Sequence, residues 1–285
     1  MRCWMLAVLG LALAGNMASA QPIDGRLKTI QATATLKIAY RTDSRPFAFL
    51  DPEGKPTGYT IELCEQVAKS LERELALPAL AITWVPVDTR TRFQAIVDGS
   101  ADMECGSTTV SLSRMKLVDF SSLVYVESTG VLVKAGEGIF SFNDLAGRKI
   151  GIVPGSTNAQ AIRDQLERRK LDVTLVEFRD REEGVAALAR GALDGFATDK
   201  LVLLSLAQAA NLRNVNLLPE DLSFEPFAIM LPRGDWELRL AVNTGLARIF
   251  RSGAVVELYS KYFGAFGRQP STWVGAVLTF GGLPE

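Results

Sequence analysis

The sequence predicts an α/β protein of two lobes joined by two crossing strands, with a ligand cleft between the lobes. Three observations carry this expectation. Short apolar strands alternate with segments of helical period up to about residue 109, and the alternation restarts as a second block near residue 149. Residues 123–133 and 227–232 lie between and after the blocks, extended, apolar and without helical period, as crossing strands would be. A long helical segment then follows the second crossing strand, which suggests that the chain leaves the first lobe once and returns to it.

In order along the chain, residues 36–40 (LKIAY) read as a first strand that stops at the polar turn Arg41-Thr42-Asp43-Ser44-Arg45-Pro46-Phe47. A second turn at 51–56 precedes a helix over 60–75, for which Thr60 is a suitable N-cap. A strand at 82–87, a helix at 90–98 and a strand at 101–105 complete the first block. The second block reads as strand 149–153, helix 158–170, strand 173–178, helix 182–190 and strand 195–197. Helices over 236–250 and 254–262 follow the second crossing strand. The organisation expected is a signal peptide at 1–20, a discontinuous lobe 1 at 32–125 and 226–285, and lobe 2 at 126–225.

Composition narrows the function classes. The chain of 285 residues has a formal net charge of -1 and scattered basic residues, so it lacks the electrostatic footprint of a nucleic-acid or anionic-membrane binder. Its N-terminus has the parts of a secretory signal: Met1-Arg2, an apolar run over 4–14, and Ala18-Ser19-Ala20 before Gln21. The run falls short of the roughly 20 apolar residues that span a bilayer, so no membrane insertion is expected after cleavage. There is no histidine, which excludes Ser-His-Asp chemistry and removes the commonest zinc ligand; neither metal nor cofactor is expected. Beyond the signal only Cys64 and Cys105 remain. Cys64 falls on an apolar helical stripe with Ile61, Val67, Ala68 and Leu71, so two buried free thiols are expected, although a sequence cannot exclude pairing.

Open α/β sheets bind ligands beyond the carboxyl ends of their strands. In the first block these ends are Arg41 to Ser44, Asp88 with Thr89, and Gly106-Ser107-Thr108-Thr109. In the second they are Pro154-Gly155-Ser156-Thr157, Arg179 to Arg181, and Thr198 with Asp199. Gly155-Ser156-Thr157 precedes a helix, where free N–H groups suit an anion, although an ordinary N-cap would look the same. Arg41, Arg92, Arg114 and Arg181 each adjoin a strand end, and four guanidinium forks at one cleft favour carboxylates. Asp199 offers the complementary acceptor for an ammonium group, or serves as a helix N-cap.

With these residues in place, the chain resembles the periplasmic amino-acid-binding proteins that feed ABC importers, solute-binding protein family 3, and most of all their glutamate/aspartate-binding branch. The resemblance covers 36–264 and is most specific at Asp102-Met103-Glu104-Cys105-Gly106-Ser107-Thr108-Thr109. It implies a type II periplasmic-binding-protein fold, a monomer in the periplasm, an amino-acid ligand and a membrane permease as partner. It further implies that Arg114, with the backbone and hydroxyl groups of Thr109 and Thr157, holds the ligand α-carboxylate, and that Ser107 and Asp199 hold the α-ammonium. Arg41, Thr89, Arg92 and Arg181 would hold a side-chain carboxylate. Position 181 departs from the branch, which tends to carry histidine there. Ser44 stands where binders of other amino acids often place a stacking aromatic.

One difficulty follows. Four arginines against one aspartate and a glutamate ligand leave excess positive charge; the open explanations are an offset by Asp43, Asp88 or Glu104, a solvent-facing Arg181, or a ligand with more carboxylates. The alternatives to glutamate or aspartate are another polar amino acid, a dicarboxylate, or a dehydratase-like enzyme on the same scaffold with Glu104 as general acid. A non-enzymatic binder is the expected reading.

Overall fold

The computed structural model describes residues 25–267 and 270–284, so the expected signal peptide lies outside the described residues. After helix α1 (Gly25–Thr33) come β1 (Thr35–Arg41), three short strands β2 (Asp43–Ser44), β3 (Ala48–Leu50) and β4 (Pro56–Thr57), and α2 (Tyr59–Glu74). β5 (Ala81–Val87), α3 (Arg92–Val97) and β6 (Met103–Cys105) follow, then β7 (Val118–Glu127) and β8 (Thr129–Lys134). The second block contains β9 (Lys149–Ile152), α4 (Thr157–Arg169), β10 (Thr174–Glu177), α5 (Arg181–Ala189), β11 (Gly195–Asp199), α6 (Lys200–Ala209) and β12 (Val215–Leu217). β13 (Glu225–Pro232), α7 (Trp236–Arg251), α8 (Ala254–Phe263) and α9 (Thr272–Phe280) complete the described chain.

Two five-stranded sheets form, in the orders β5-β1-β6-β13-β7 and β10-β9-β11-β8-β12. In each, four strands run in one direction and one runs against them, β13 in the first sheet and β8 in the second. β7 ends in one sheet and β8 begins in the other, and β13 rejoins the first, so the two expected crossings are present. The first sheet is covered by α2, which packs on α7; Ile61, Leu63, Val67 and Leu71 share one apolar core with Leu238, Val242 and Leu246. Gly245 permits this close approach, since a Cβ there would lie 3.2 Å from the Cβ of Ser70. Under the crossings, Phe47, Tyr59, Tyr125, Phe227 and Phe263 form one aromatic cluster with centroid separations of 4.9 to 6.4 Å. Edge-on packing of this kind adds to the burial of each ring and fixes where the two crossing strands emerge.

Two expectations are corrected. α2 begins at Tyr59, with Gly58 as N-cap at φ 131°, so Thr60 lies inside the helix. A side chain at Gly58 would meet the carbonyl of Phe47, which is why the chain can turn into the helix only there. Cys64 and Cys105 are joined by a disulfide instead of remaining free. The apolar stripe that argued for a buried thiol lays α2 against the end of β6, and the two Cα atoms come within 6.5 Å.

Candidate functional site

The parallel register places the site. Arg41 ends β1 opposite Val87, so Thr89 follows the neighbouring strand end, while Tyr40 pairs with Cys105 and puts Gly106 to Thr109 on the other side. A Cβ on Gly106 would fall 2.4 Å from Glu104 Oε1 and 3.4 Å from Arg41 Cγ, so only glycine lets both side chains lie against this turn. From the second sheet, Thr157 opens α4, Arg181 opens α5 and Asp199 ends β11. Of the nine residues singled out in the sequence, seven are buried, and Arg114 and Thr157 are half-buried.

At one end of the cleft the arginines meet carboxylates from the chain itself. Arg41 donates from Nε and Nη2 to the two oxygens of Asp43, at 2.8 and 2.6 Å. Arg181 is buried, not turned to solvent: it donates to Ser44 Oγ at 2.6 Å, Thr198 Oγ1 at 2.9 Å and Asp199 Oδ2 at 3.0 Å. Its backbone N–H also points at Asp43 Oδ2, 3.4 Å away, so Asp43 and Ser44 tie the two lobes together. Burial alone would raise the Asp43 carboxyl, but the charges of Arg41 and Arg181 outweigh it and hold its pKa well below the usual carboxylate range.

Arg92 has no such partner. It donates from Nη1 to Thr108 Oγ1 at 2.7 Å, and Thr108 in turn donates to Glu104 Oε2 at 2.7 Å. Burial, then the Arg41 and Arg114 charges, push the Arg92 pKa well below the ordinary arginine value, while burial raises that of Glu104. Among the described residues, Arg41 Nη1, Thr89 Oγ1 and Arg92 Nε are buried without a hydrogen-bond partner. Buried donors are normally paired, and three orphans on neighbouring elements mark a place that suits an anion.

The other end of the cleft is organised by a residue the sequence did not single out. Glu225, at the start of β13, accepts at 2.6 Å from Thr109 Oγ1, from Thr157 Oγ1 and from Ser223 Oγ. One carboxylate thus joins hydroxyls of both lobes. Asn158 donates to Asp199 Oδ1 and Thr129 Oγ1, which carries the network on to Arg181. Asp199 occupies the N-cap position of α6 but makes no capping bond, so its carboxylate belongs to the cleft; burial raises its pKa against the pull of Arg181. Ser156 does cap α4, accepting from Ala159, which leaves the Thr157 N–H among the free donors of the first turn. Arg114 donates to the Thr109 carbonyl at 2.8 Å, and Ser107 to Ser44 at 3.3 Å.

The charge difficulty resolves without a solvent-facing arginine. Asp43, Glu104, Asp199 and Glu225 are all buried beside the four arginines, whereas Asp88 folds its own surface turn by accepting from Arg90 and Thr91. A cavity of about 620 Å³ lies elsewhere, behind the crossing strands, lined by Tyr125, Glu127, Lys200, Phe224 and Trp273 among others. None of the nine residues lines it.

Two α/β lobes, two crossing strands and a buried polar cleft spanning both define a hinged ligand-binding protein. The chain belongs to the bacterial extracellular solute-binding proteins, family 3, whose profile it matches over residues 36–265. It is 30% identical over 254 residues to an L-glutamate/L-aspartate-binding protein of Pseudomonas aeruginosa, covering 88% of this chain and 84% of that one. It is 27% identical to an ABC transporter glutamine-binding protein of Bacillus subtilis, over 90% of this chain and 92% of the other. Among solved structures it resembles an ancestral amino-acid-binding protein described as a precursor of cyclohexadienyl dehydratase, with a TM-score of 0.74 and 28% identity over 84% of this chain and all of that one. No described helix is long and apolar enough to cross a membrane.

Proposed function

We propose that this chain is an extracytoplasmic solute-binding protein that captures an amino acid with a side-chain carboxylate, glutamate or aspartate, and delivers it to the permease of an ABC importer. The observation that carries the reading is the set of three unpaired buried donors, Arg41 Nη1, Thr89 Oγ1 and Arg92 Nε, at adjoining strand ends. A side-chain carboxylate there would satisfy all three and give Arg92 a counter-charge in direct contact. Burial raises the Glu104 pKa, which weakens the internal counter-charge near Arg92 and favours an anionic ligand group there.

The opposite end reads the part common to amino acids. Thr109 and Thr157 both direct their single hydroxyl proton to Glu225, so neither hydroxyl is free to donate to a ligand. The α-carboxylate therefore falls to Arg114 and to backbone N–H groups. That of Thr157 is free in the helix turn. That of Thr109 faces away from β13, because the ladder there uses Val110 and Ala228 instead. Ser107 and Asp199 receive the α-ammonium. Residues of both lobes surround the ligand, so binding shifts the hinge toward closure, with the lobes dividing near 126 and 225. The expected signal peptide and the relatives' family support export to the periplasm, and the protein acts as a monomer.

Glu104 does not favour the enzymatic alternative. It is held under the Gly106 turn by Thr108, and the chain has no histidine to share acid-base work. Calorimetric titration of the mature protein with glutamate, aspartate, glutamine, arginine and citrate tests the reading. Heats that saturate with the two acidic amino acids and not with arginine support it; tight glutamine binding with no response to glutamate or aspartate overturns it.

A further inference from the structure

We propose that Asp43 is a specificity-determining residue of this cleft: a counter-charge supplied by the chain, which occupies two of the three nitrogens of Arg41 and limits the distal end to a single ligand carboxylate. The inference rests on the acidic-ligand reading for its direction, but its test does not. Asp43 is buried, and its partners are not the backbone of its own turn, as they would be for a structural Asx turn. They are site arginines from both lobes: Arg41 through Nε at 2.8 Å and Nη2 at 2.6 Å, and Arg181 through its N–H at 3.4 Å and its Nη1 at 3.8 Å. A guanidinium offers two parallel donors to a free carboxylate. Here the Nε/Nη2 side is already taken; the end-on side is left, with Nη1 unpaired beside the unpaired Thr89 Oγ1 and Arg92 Nε. A ligand carboxylate therefore approaches Arg41 end-on and shares it with Arg92. A second ligand carboxylate could reach the Nε/Nη2 side only by displacing Asp43.

Without the Asp43 charge, the whole Arg41 fork becomes available and the distal end gains a net positive charge. The variant's preference should move toward more anionic ligands, because selectivity here depends on a charge placed against them as well as on contacts that attract them. Asp43→Asn is nearly isosteric and keeps an oxygen that can accept the Arg181 N–H. Ser44→Ala removes the adjoining 2.6 Å bond from Arg181 without changing charge, and so isolates the loss of an interlobe contact.

The experiment is calorimetric titration of wild type, Asp43→Asn and Ser44→Ala with glutamate, glutamine and citrate. Asp43→Asn should raise the ratio of glutamate to glutamine affinity at least tenfold and strengthen citrate binding, while Ser44→Ala weakens glutamate and glutamine by a common factor. An unchanged ratio in Asp43→Asn overturns the proposal, as does an equal change of ratio in Ser44→Ala. If Asp43→Asn does not unfold cooperatively, Asp43→Ser carries the same expectation and the same contrary result. A wild type that prefers glutamine overturns the acidic-ligand reading alone; a tenfold shift toward glutamate in Asp43→Asn would still assign Asp43 its role.

Discussion

The two ends of the cleft neutralise buried arginines in different ways. Around Glu225 the hydroxyls of Thr109, Thr157 and Ser223 close on one carboxylate, and Arg114 donates to a main-chain carbonyl. Around Arg92 the chain leaves three donors unpaired and supplies Arg41 with an internal partner, Asp43. In the proposed reading the first end, its Glu225 carboxylate engaged within the protein, meets through Arg114 and free backbone N–H groups what every amino acid carries. The second end would be completed by the ligand, and selectivity between ligands would be decided there. An unpaired arginine can discriminate strongly: at about 4 Å and an effective dielectric near 20 a charge pair is worth roughly 4 kcal/mol, far more than a neutral amide supplies.

Four outcomes can break or sharpen that contrast. The largest concerns the disulfide, which anchors the base of the Gly106 turn, closing a separation of 41 residues. Loss of a loop of that size lowers stability by roughly 3 to 4 kcal/mol. Reduction, or Cys64→Ala with Cys105→Ala, should therefore lower the urea midpoint while ligand at saturation restores part of it; an unchanged midpoint would mean that packing of α2 alone holds the turn. Next, Arg92→Ala should weaken glutamate and aspartate at least a hundredfold, about 3 kcal/mol, and leave thermal unfolding of the ligand-free protein nearly unchanged. A large drop in Tm would make Arg92 structural and erase the difference between the ends.

Glu225→Gln should act at the other end and without selectivity. Its single amide oxygen can serve the two threonines, but its NH2 then stands where the second oxygen accepts from Ser223 and Thr129, so glutamate and glutamine should each lose about tenfold, roughly 1.4 kcal/mol; a selective loss would show that Glu225 discriminates ligands. The smallest effect is the opposite pH response of two carboxyls at the distal end. The Asp43 pKa is depressed by folding, so its contribution is present above the ordinary carboxylate range of about 4 and is lost as pH falls toward the folded value. The Glu104 pKa is raised, so its contribution is complete below about 4 and is lost as pH rises through the folded value. In urea titrations from pH 3 to 8, Asp43→Asn should lose stability relative to wild type as pH rises. Glu104→Gln should gain on the same scan, each by on the order of 1 kcal/mol. Parallel slopes would contradict the assignment of opposite environments.

The large elements were legible because their periods are long enough to register. Both crossings, the parallel strands and helices α2, α4 and α7 follow from alternation of apolar strands with amphipathic segments. The two-residue strands β2 and β4 have no period to read, and α1 (GRLKTIQAT) and α9 (TWVGAVLTF) lack a clear apolar stripe. The nine candidate residues could be singled out because strand ends are where a parallel sheet exposes side chains to ligand, and seven of them are buried in the structure. Glu225 was missed because it is the first residue of an antiparallel crossing strand, outside that rule; its one signal was an acid with Ser223 at the head of an apolar run. The pairing of Asp43 with Arg41 depends on the bend at Thr42 between β1 and β2, and the disulfide on the depth of α2 over β6, geometry that no spacing encodes.

The central claim is that the distal end requires a ligand carboxylate to complete it. The most direct measurement is the ratio of glutamate to glutamine affinity in the wild-type protein at neutral pH, two ligands of nearly equal volume that differ in charge at the group Arg92 would meet. A ratio of at least a hundred in favour of glutamate is expected. A ratio near one, or one favouring glutamine, would contradict it.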